Sequence, residues 1–297
     1  MKSNDSLIIK SAFAVANKID ADAVFVHVDP LSDMIFEERV AKKSKLVLVT
    51  KKKRLDTNEK NKKSLLSLAK AVITIPKIQS TRMTLIKIAT TLALSQDIIE
   101  PGVKVVFAAG GSDTGSLDMI QVVDTSKESE FLSGKGIAKI AESVPPELFE
   151  SVLNITVELA DKGREGKAIG TIFVLGDHEK VMQLSKQMIM NPFKGYDEEE
   201  RNILSPSLKE TIRELSAMDG AFVIADDGTV LTAGRYLGAA TDESSLPRGL
   251  GSRHIAAAGI TSLTQSIAFV ISESSGDVRI FKDGRIITHI EKAPSKK

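Results

Sequence analysis

Short apolar runs alternate with helix-like segments through the first 125 residues, and this alternation constrains the fold more than any other feature. Four runs have the length and composition of buried strands: AVFVHVD (23–29), KLVLVT (45–50), AVITIP (71–76) and VKVVFAAGG (103–111). The segments SDMIFEERVAKK, TNEKNKKSLLSLAKA and STRMTLIKIATTLALSQ between them carry helix signals, and Ser80 is the predicted N-cap of the last one. The pattern predicts an α/β domain, a mostly parallel sheet with flanking helices, to which MIQVVD (119–124) adds a strand.

A polar stretch that contains glycine, TSKESEFLSGKG (125–136), interrupts this pattern and predicts a boundary between domains 1–125 and 127–297. In the second domain, PPELFESVLNITVELADKG predicts a helix that two prolines open and Gly163 closes. HEKVMQLSKQM, DEEERNILSPSLKETIRELSA and SRHIAAAGITSLTQ are also predicted to be mainly helical. Strands are predicted at AIGTIFVLGD, GAFVIAD, TVLTAGRYL, IAFVISES, DVRIFKDG and RIITHI. The second domain is therefore predicted to be α+β, with several antiparallel strand pairs.

Composition excludes several classes of function. The net charge is +1 and there is no Trp, so neither a basic surface nor a stacking platform for nucleic acid is expected, and KKKR (51–54) is interpreted as a solvated loop. The chain has no cysteine, which excludes disulfides and thiolate zinc sites and fits a cytoplasmic location. No window approaches 18 uninterrupted apolar residues, so no membrane span and no membrane partner are expected.

Three features of the second domain carry its chemistry. Asp219 and Gly220 enter the strand AFVI, the loop GLGSRH (249–254) leads into a helix, and Ser272-Glu273 ends the strand AFVIS. Backbone amides at a helix start, beside Arg253, form an anion site suited to phosphates. Two acids close to such a site are the groups required for metal-assisted phosphoryl or nucleotidyl transfer.

The Asp219-Gly220 pair also has a simpler interpretation as a hairpin turn. The chain repeats Asp-Gly at Asp227-Gly228 and at Asp283-Gly284, and both copies lie between strand-like runs, where a turn is expected. Only the first copy stands in order with the two other features, so we expect it to be part of a site.

The three features together resemble the motifs of the diadenylate cyclase domain family. MDGAFVIADDGTVLTAGRYLG, GLGSRHIAAAGIT and FVISESSGDVRIFKDGRI are similar to that family's Asp-Gly-Ala motif, its Gly-Thr-Arg-His-Arg-Ala-Ala motif and its Ser-Glu-Glu strand. The arrangement, with an N-terminal α/β domain and no membrane helix, resembles the archaeal branch. The resemblance implies a central mixed sheet surrounded by helices and the condensation of two ATP into cyclic di-AMP, with release of two pyrophosphates and dependence on Mg²⁺ or Mn²⁺.

The resemblance also implies roles for individual residues. Asp219, Arg253 and His254 would be catalytic, and Asp219 and Glu273 would hold the metal. The residues implied to contact the nucleotide are Gly220, Ala221, Leu237, Gly251, Ser252, Arg253, His254, Ile255, Ala256 and Ser272. A Cβ at Gly220 would collide with the nucleotide, and Leu237 would pack on the adenine.

One departure from the family pattern keeps a second function open. Ile255 stands where the family usually has the second Arg of Arg-His-Arg, and Ser274 stands where many members have a second Glu. The alternative is therefore a degenerate domain that binds adenine nucleotide or cyclic di-AMP as a sensor. Because the product is two-fold symmetric, an active enzyme is expected to be a homo-oligomer with cyclase domains face to face.

The first domain resembles the C-terminal domain of pyruvate kinase in its pattern of strands. AVANKIDADAVFV and VKVVFAAGGSDTGSLDMIQVVD carry this resemblance. In that enzyme the domain is regulatory and binds a phosphorylated effector, so the resemblance implies a regulatory role here.

Overall fold

The chain forms two compact units, which the computed structural model places at Met1–Glu128 and Ser129–Lys297. The structure describes residues 3–32, 45–53, 55, 64–111, 115–127, 136–137, 140, 143–239 and 247–293. The helix predicted at 32–43, apart from its first residue, all of 57–63 and most of the predicted boundary stretch lie outside the described residues. Over the described ranges, no helix has both the length and the apolar character needed to cross a bilayer.

The first unit is a five-stranded sheet in the order β3-β2-β1-β4-β5. Its strands are β1 (Ala23–His27), β2 (Lys45–Thr50), β3 (Ala71–Thr74), β4 (Lys104–Ala109) and β5 (Met119–Asp124). The first four strands run parallel, and β5 pairs antiparallel with β4. This confirms the predicted α/β class, because buried parallel strands need helices on their faces.

Among the described residues, three helices accompany this sheet: α1 (Ser3–Lys18), α2 (Leu65–Leu68) and α3 (Arg82–Ser95). The N-cap of α3 is Thr81, so the prediction of Ser80 was wrong by one residue. The Thr84 amide donates to the Thr81 hydroxyl at 3.1 Å, whereas the buried Ser80 hydroxyl has no hydrogen-bond partner within the described part of the chain. Helix α1 was not predicted, although its buried apolar residues recur at helical spacing.

The second unit is a seven-stranded mixed sheet in the order β12-β11-β10-β6-β8-β9-β7. Its strands are β6 (Ile172–Leu175), β7 (Ser185–Gln187), β8 (Ala221–Ile224), β9 (Val230–Leu237), β10 (Ile267–Ile271), β11 (Val278–Lys282) and β12 (Arg285–Ile290). Only β6 and β8 pair in parallel; the other neighbours are antiparallel. The predicted central mixed sheet is therefore confirmed.

Four helices of the described chain lie in this unit: α4 (Pro146–Lys162), α5 (His178–Gln183), α6 (Leu208–Leu215) and α7 (Ser252–Leu263). Helix α4 begins and ends at the predicted prolines and glycine. The segment predicted to be one helix at HEKVMQLSKQM instead divides into α5 and the edge strand β7. Buried Arg235 on β9 donates to the Ser185 hydroxyl at 2.8 Å and to the Ser185 carbonyl at 2.7 Å, which fastens β7 to β9.

Two of the three Asp-Gly pairs are hairpin turns, as predicted. Asp227-Gly228 joins β8 to β9, where the Gly228 amide donates to the Ala225 carbonyl at 3.0 Å. Asp283-Gly284 joins β11 to β12, and both of its residues have positive φ. Asp219-Gly220 instead precedes β8 at the mouth of the sheet.

Candidate active site

Sheet register brings the three sequence motifs to one edge of the second sheet. Ile172 on β6 pairs with Ala221 on β8 and with Val270 on β10. Since β8 is parallel to β6 and β10 is antiparallel to it, the start of β8 and the end of β10 lie at the same edge. Asp219 comes just before β8 and Glu273 just after β10.

The side chain of Arg253, in the first turn of α7, bridges these two acids. Its Nη1 lies 2.9 Å from Glu273 Oε2, and its Nη2 lies 3.1 Å from Asp219 Oδ1. Asp219 is 89% exposed and Glu273 is 62% exposed, so both carboxylates remain open to solvent. The structure therefore brings together the three charged residues that the sequence predicted from three separate motifs.

Gly170, which the sequence analysis did not select, makes room for this bridge. It lies just before β6, and a Cβ built there would stand 2.5 Å from Arg253 Nη1 and 2.8 Å from Glu273 Cβ. The signal in the sequence was a glycine directly before a buried strand, which often marks close approach by another group. Gly170 is a positioning residue, because it acts only through the space it leaves.

A cavity of about 690 Å³ opens beside the Arg253 bridge. One wall is the glycine-rich loop and the first turn of α7 (249–254), and the other is the segment from Ile271 to Arg279. Gly251 is the N-cap of α7. Gly251 has no side chain to cap this helix start, and the N-terminus of a helix favours anions.

His254 lines this cavity as a neutral side chain. Arg279 Nη1 lies 3.4 Å from His254 Nε2. A guanidinium can only donate, so Nε2 accepts and Nδ1 carries the proton. Burial, with the nearby charges of Arg279, His289 and Arg253, lowers the pKa of His254 to about 4. The buried Nδ1 has no partner among the described atoms.

Asp277 anchors the wall of the cavity opposite α7. Its Oδ2 lies 3.2 Å from His289 Nε2 and 3.6 Å from Arg279 Nη2, and its Oδ1 accepts from the Lys292 amide at 3.1 Å. Burial opposes ionisation, but the hydrogen bonds from Lys292, His289 and Ser275 lower the pKa of Asp277 below its usual value. Asp277 is thus a carboxylate at neutral pH.

The remaining predicted nucleotide contacts occupy varied positions. Ala221 is fully buried in β8, and Leu237 packs in the core with Val181 on α5 and Ala257 on α7. The other predicted contacts lie on the loop and first turn of α7 or directly after β10: Gly251, Ser252, Ile255, Ala256 and Ser272. Of these, Gly251, Ser252 and Ser272 line the cavity.

The structure gives Gly220 a different reason for being glycine. Its φ is +103°, and a Cβ there would lie 2.7 Å from the backbone of Gly234 and of Arg235 on β9. The chain's own neighbouring strand therefore excludes a side chain, whatever ligand lies beyond it. The further collision with the nucleotide stays a prediction.

The donor set fits a hard divalent cation only in combination with a substrate. Asp219 and Glu273 converge on one cationic group, which shows that the two carboxylates can share a positive charge. Over the part of the chain that the structure describes, no three metal-ligating side chains come together. A Mg²⁺-type site of one or two carboxylates completed by substrate phosphates matches this arrangement.

Comparison with known proteins identifies both units. Residues 158–286 match the family described as DisA bacterial checkpoint controller nucleotide-binding, and residues 4–133 match the probable sensor domain DacZ_P. A diadenylate cyclase of Haloferax volcanii is 35% identical over 201 residues, which covers 67% of this chain and 72% of that protein. A diadenylate cyclase of Methanocaldococcus jannaschii is 39% identical over 196 residues, 66% of this chain and 62% of that protein. The chain belongs to the diadenylate cyclase family.

The comparisons with solved structures add little. DacA from Staphylococcus aureus aligns with a TM-score of 0.32 at 23% identity, covering 47% of this chain and 84% of that one. A pyruvate kinase from Cryptosporidium parvum aligns with a TM-score of 0.28 at 14% identity, covering 41% of this chain and 22% of that one. Scores this low carry no argument, so the likeness of the first unit to pyruvate kinase stays a prediction. The chain spans slightly less than two thirds of the M. jannaschii relative.

Proposed function

We propose that this protein is a diadenylate cyclase that condenses two ATP into cyclic di-AMP and releases two pyrophosphates. The observation that carries the proposal is the Arg253 bridge between Asp219 and Glu273 at the mouth of an open cavity. Family membership gives the reaction, and the bridge supports the view that the three charged residues act as one unit. If the domain were instead a degenerate sensor, we would expect one of the residues Asp219, Arg253 and Glu273 to be missing.

Each residue of the site has a chemical task in this proposal. Asp219 and Glu273 would hold a divalent ion, Mg²⁺ or Mn²⁺, which when bound neutralises phosphate charge. Arg253 and the first-turn amides of α7 would hold the triphosphate, because charge-assisted hydrogen bonds to phosphate are strong. His254, neutral at pH 7, would form part of the wall against which the triphosphate lies.

The reaction itself needs little covalent participation from the protein. The 3′-hydroxyl of one ATP attacks the α-phosphorus of the other and pyrophosphate leaves on the opposite side, so positioning and charge provide most of the catalysis. Asp219, at the mouth of the sheet, would help to activate the hydroxyl. Because its proposed substrate, ATP, is present in the cytoplasm, we propose that the enzyme acts there.

The symmetry of the product requires two sites to cooperate. Each ATP supplies a hydroxyl to the other, and one set of Asp219, Arg253 and Glu273 serves only one of the two attacks. We therefore infer that two cyclase units act face to face around a two-fold axis. The first unit, which matches a probable sensor domain, would regulate this activity.

One assay tests the proposal. The full chain is incubated with ATP and Mn²⁺ or Mg²⁺, and the products are identified by chromatography and mass. We expect cyclic di-AMP and pyrophosphate in a ratio of about one to two. Stoichiometric ATP binding without turnover, with either metal, would support the sensor function instead.

A further inference from the structure

We propose that Arg279 is a second triphosphate-binding residue of this site and that it compensates for the absence of an arginine at Ile255. The inference rests on the proposed function, since it concerns the same cavity and the same substrate. Arg279 lies on β11, outside the three motifs by which the sequence identified the site.

The charge distribution in the cavity shows why Arg253 alone is insufficient. Arg253 makes close ion pairs with both Asp219 and Glu273, so its single positive charge already faces two negative ones. The triphosphate of ATP brings several more negative charges into the same space. A second arginine, in addition to Arg253 and the divalent ion, would help to offset them.

Arg279 is placed to be that cation. It lines the same 690 Å³ cavity, opposite the glycine-rich loop, and its side chain is 17% exposed. Burial lowers the pKa of Arg279, but an arginine remains charged at neutral pH. The carboxylate of Asp277, 3.6 Å away, and the charge of Glu291 oppose this lowering and stabilise the charged guanidinium.

Two contacts fix the orientation of this guanidinium. Nη2 faces Asp277, and Nη1 donates to His254 Nε2 at 3.4 Å. A guanidinium carries five N–H donors in a rigid fork, and each of these contacts uses one donor. These two contacts therefore leave further donors of the guanidinium for a ligand in the cavity that Arg279 lines.

The position of Arg279 also explains how Ile255 can be tolerated. His254 and Ile255 are neighbours in the first turn of α7, and α7 packs against β11. A guanidinium from β11 that touches His254 thus comes within one residue of the position where the family has arginine. The positive charge would be preserved near the first turn of α7, although it comes from a strand instead of a helix.

Calorimetric titration of the full chain tests this inference, with AMP and with 3′-deoxy-ATP, which reports ATP binding without turnover because it lacks the attacking hydroxyl, both with Mg²⁺. We expect Arg279→Gln to weaken ATP binding by about tenfold and AMP binding by less than about twofold, because the outer phosphates supply the additional charge. Arg285→Gln is the matched control: Arg285 is exposed at the start of β12 in the same hairpin, and its loss should leave both affinities unchanged. In steady state, KM for ATP should rise more than kcat falls.

The outcomes separate this inference from the proposed function. Equal losses for ATP and AMP would show that Arg279 only supports the fold, and wild-type affinity for ATP would remove it from the site; both results overturn the inference while cyclic di-AMP synthesis stands. If Arg279→Gln does not fold, Arg279→Lys gives the same comparison. Lysine keeps the charge but lacks the guanidinium fork, so the affinity for ATP should fall about threefold and the affinity for AMP should not change. A wild-type chain that neither binds ATP nor makes product refutes both proposals.

Discussion

At the residue scale, the site depends on one guanidinium that joins two acids from distant parts of the chain. The sequence predicted Asp219, Arg253 and Glu273 because each belongs to a short motif whose residue types suit phosphate chemistry. It did not predict Gly170, whose contribution is empty space beside Arg253. Nor did it predict Arg279, since an arginine in a strand is ordinarily solvent-facing. The roles of such residues depend on contacts with neighbouring strands. They can be predicted only when the sheet register is known, and a local sequence pattern does not contain it.

Replacement of Asp219 tests the metal-binding role. Asp219→Asn keeps the side-chain volume and removes the charge, so we expect cyclic di-AMP synthesis to fall by about a hundredfold or more. The melting temperature should hardly change, since Asp219 is 89% exposed and exposed ion pairs stabilise little. Asp226→Asn makes the same change at an exposed acid beyond the other end of β8 and should keep full activity. Near wild-type turnover in Asp219→Asn contradicts the assignment.

Gly170→Ala tests whether Arg253 can reach its position only because residue 170 has no side chain. Gly170 does not have a positive φ, so alanine fits the backbone there and only the collision with Arg253 and Glu273 remains. We expect kcat/KM to fall about ten- to hundredfold, the range for a catalytic group displaced by roughly 1 Å. Exposed Lys167→Ala, in the preceding turn, is the control. Unchanged kinetics in Gly170→Ala would mean that Arg253 leaves this position when substrate binds.

The buried His254 predicts a pH dependence of stability. Its pKa is lowered from 6.5 to about 4, chiefly by burial and then by the charges of Arg279, His289 and Arg253, with Asp277 opposing them. Between pH 6.5 and about 4 the unfolded chain therefore binds a proton that the folded chain does not, and the free energy of unfolding falls as pH falls. Over that window His254 contributes up to about 3 kcal/mol of this loss. The free energy of unfolding, measured by urea denaturation at several pH values, should fall less steeply with decreasing pH in His254→Gln than in the wild type. The same pH dependence in both proteins would disprove a buried neutral imidazole.

At the element scale, three identical dipeptides have different structures because their strands differ in context. Asp227-Gly228 and Asp283-Gly284 each join two antiparallel neighbours, which a short turn can connect. Asp219-Gly220 follows α6 and enters β8, whose neighbour β6 runs parallel to it. Because a helix and not a strand precedes the first pair, that pair joins no two strands and is not a hairpin turn; it marks an entrance to the sheet, where its acid is exposed.

Gly220→Ala and Gly195→Ala together test how strand packing determines Gly220. Both glycines have similar φ values, +103° and +93°, but only at Gly220 would a Cβ meet backbone, at 2.7 Å from β9. We expect Gly195→Ala to lower the free energy of unfolding by about 1 kcal/mol and Gly220→Ala by about 3 kcal/mol. Chemical denaturation measures both values. Equal losses would show that backbone conformation alone requires glycine at 220.

Most elements were predictable because hydrophobic runs bounded by glycine, proline and polar residues are strong local signals. Every strand predicted by such a run is present, with bounds within a few residues. One error occurs where a long-range contact determines the secondary structure. Helical periodicity alone would continue α5 through residues 185–187, but Arg235 on β9 binds Ser185 and this segment forms the strand β7. Another error is local. Ser80 and Thr81 are adjacent and both carry a hydroxyl that can cap a helix, so the sequence does not show which of them is the N-cap of α3.

At the scale of the whole molecule, the symmetric product implies an assembly that the single chain does not contain. Met188, Ile189 and Met190 follow β7 and are exposed, Met190 at 93%. They lie next to the acid end of the site, because the Met188 amide donates to the Gly234 carbonyl and Gly234 adjoins Gly220 across the sheet. We therefore propose that this apolar strip forms part of the face-to-face contact inferred for two cyclase units.

Dilution tests this assembly. If two cyclase units form the active species, specific activity should fall once the protein is diluted below the dissociation constant of the pair, while a self-sufficient monomer would keep constant activity per mole. Met190→Asp introduces a charge into the apolar strip and should move the dilution midpoint to at least about tenfold higher protein concentration, because burying an unpaired charge in an interface is costly. Leu263→Asp makes the same change at a comparably apolar exposed side chain at the end of α7 remote from Arg253 and should leave the midpoint in place. The variants should agree in activity at saturating concentration, since neither residue belongs to the ATP site. Light scattering under turnover conditions that finds only monomers, with activity independent of concentration, would exclude the two-fold mechanism and require both ATP molecules to react within one unit.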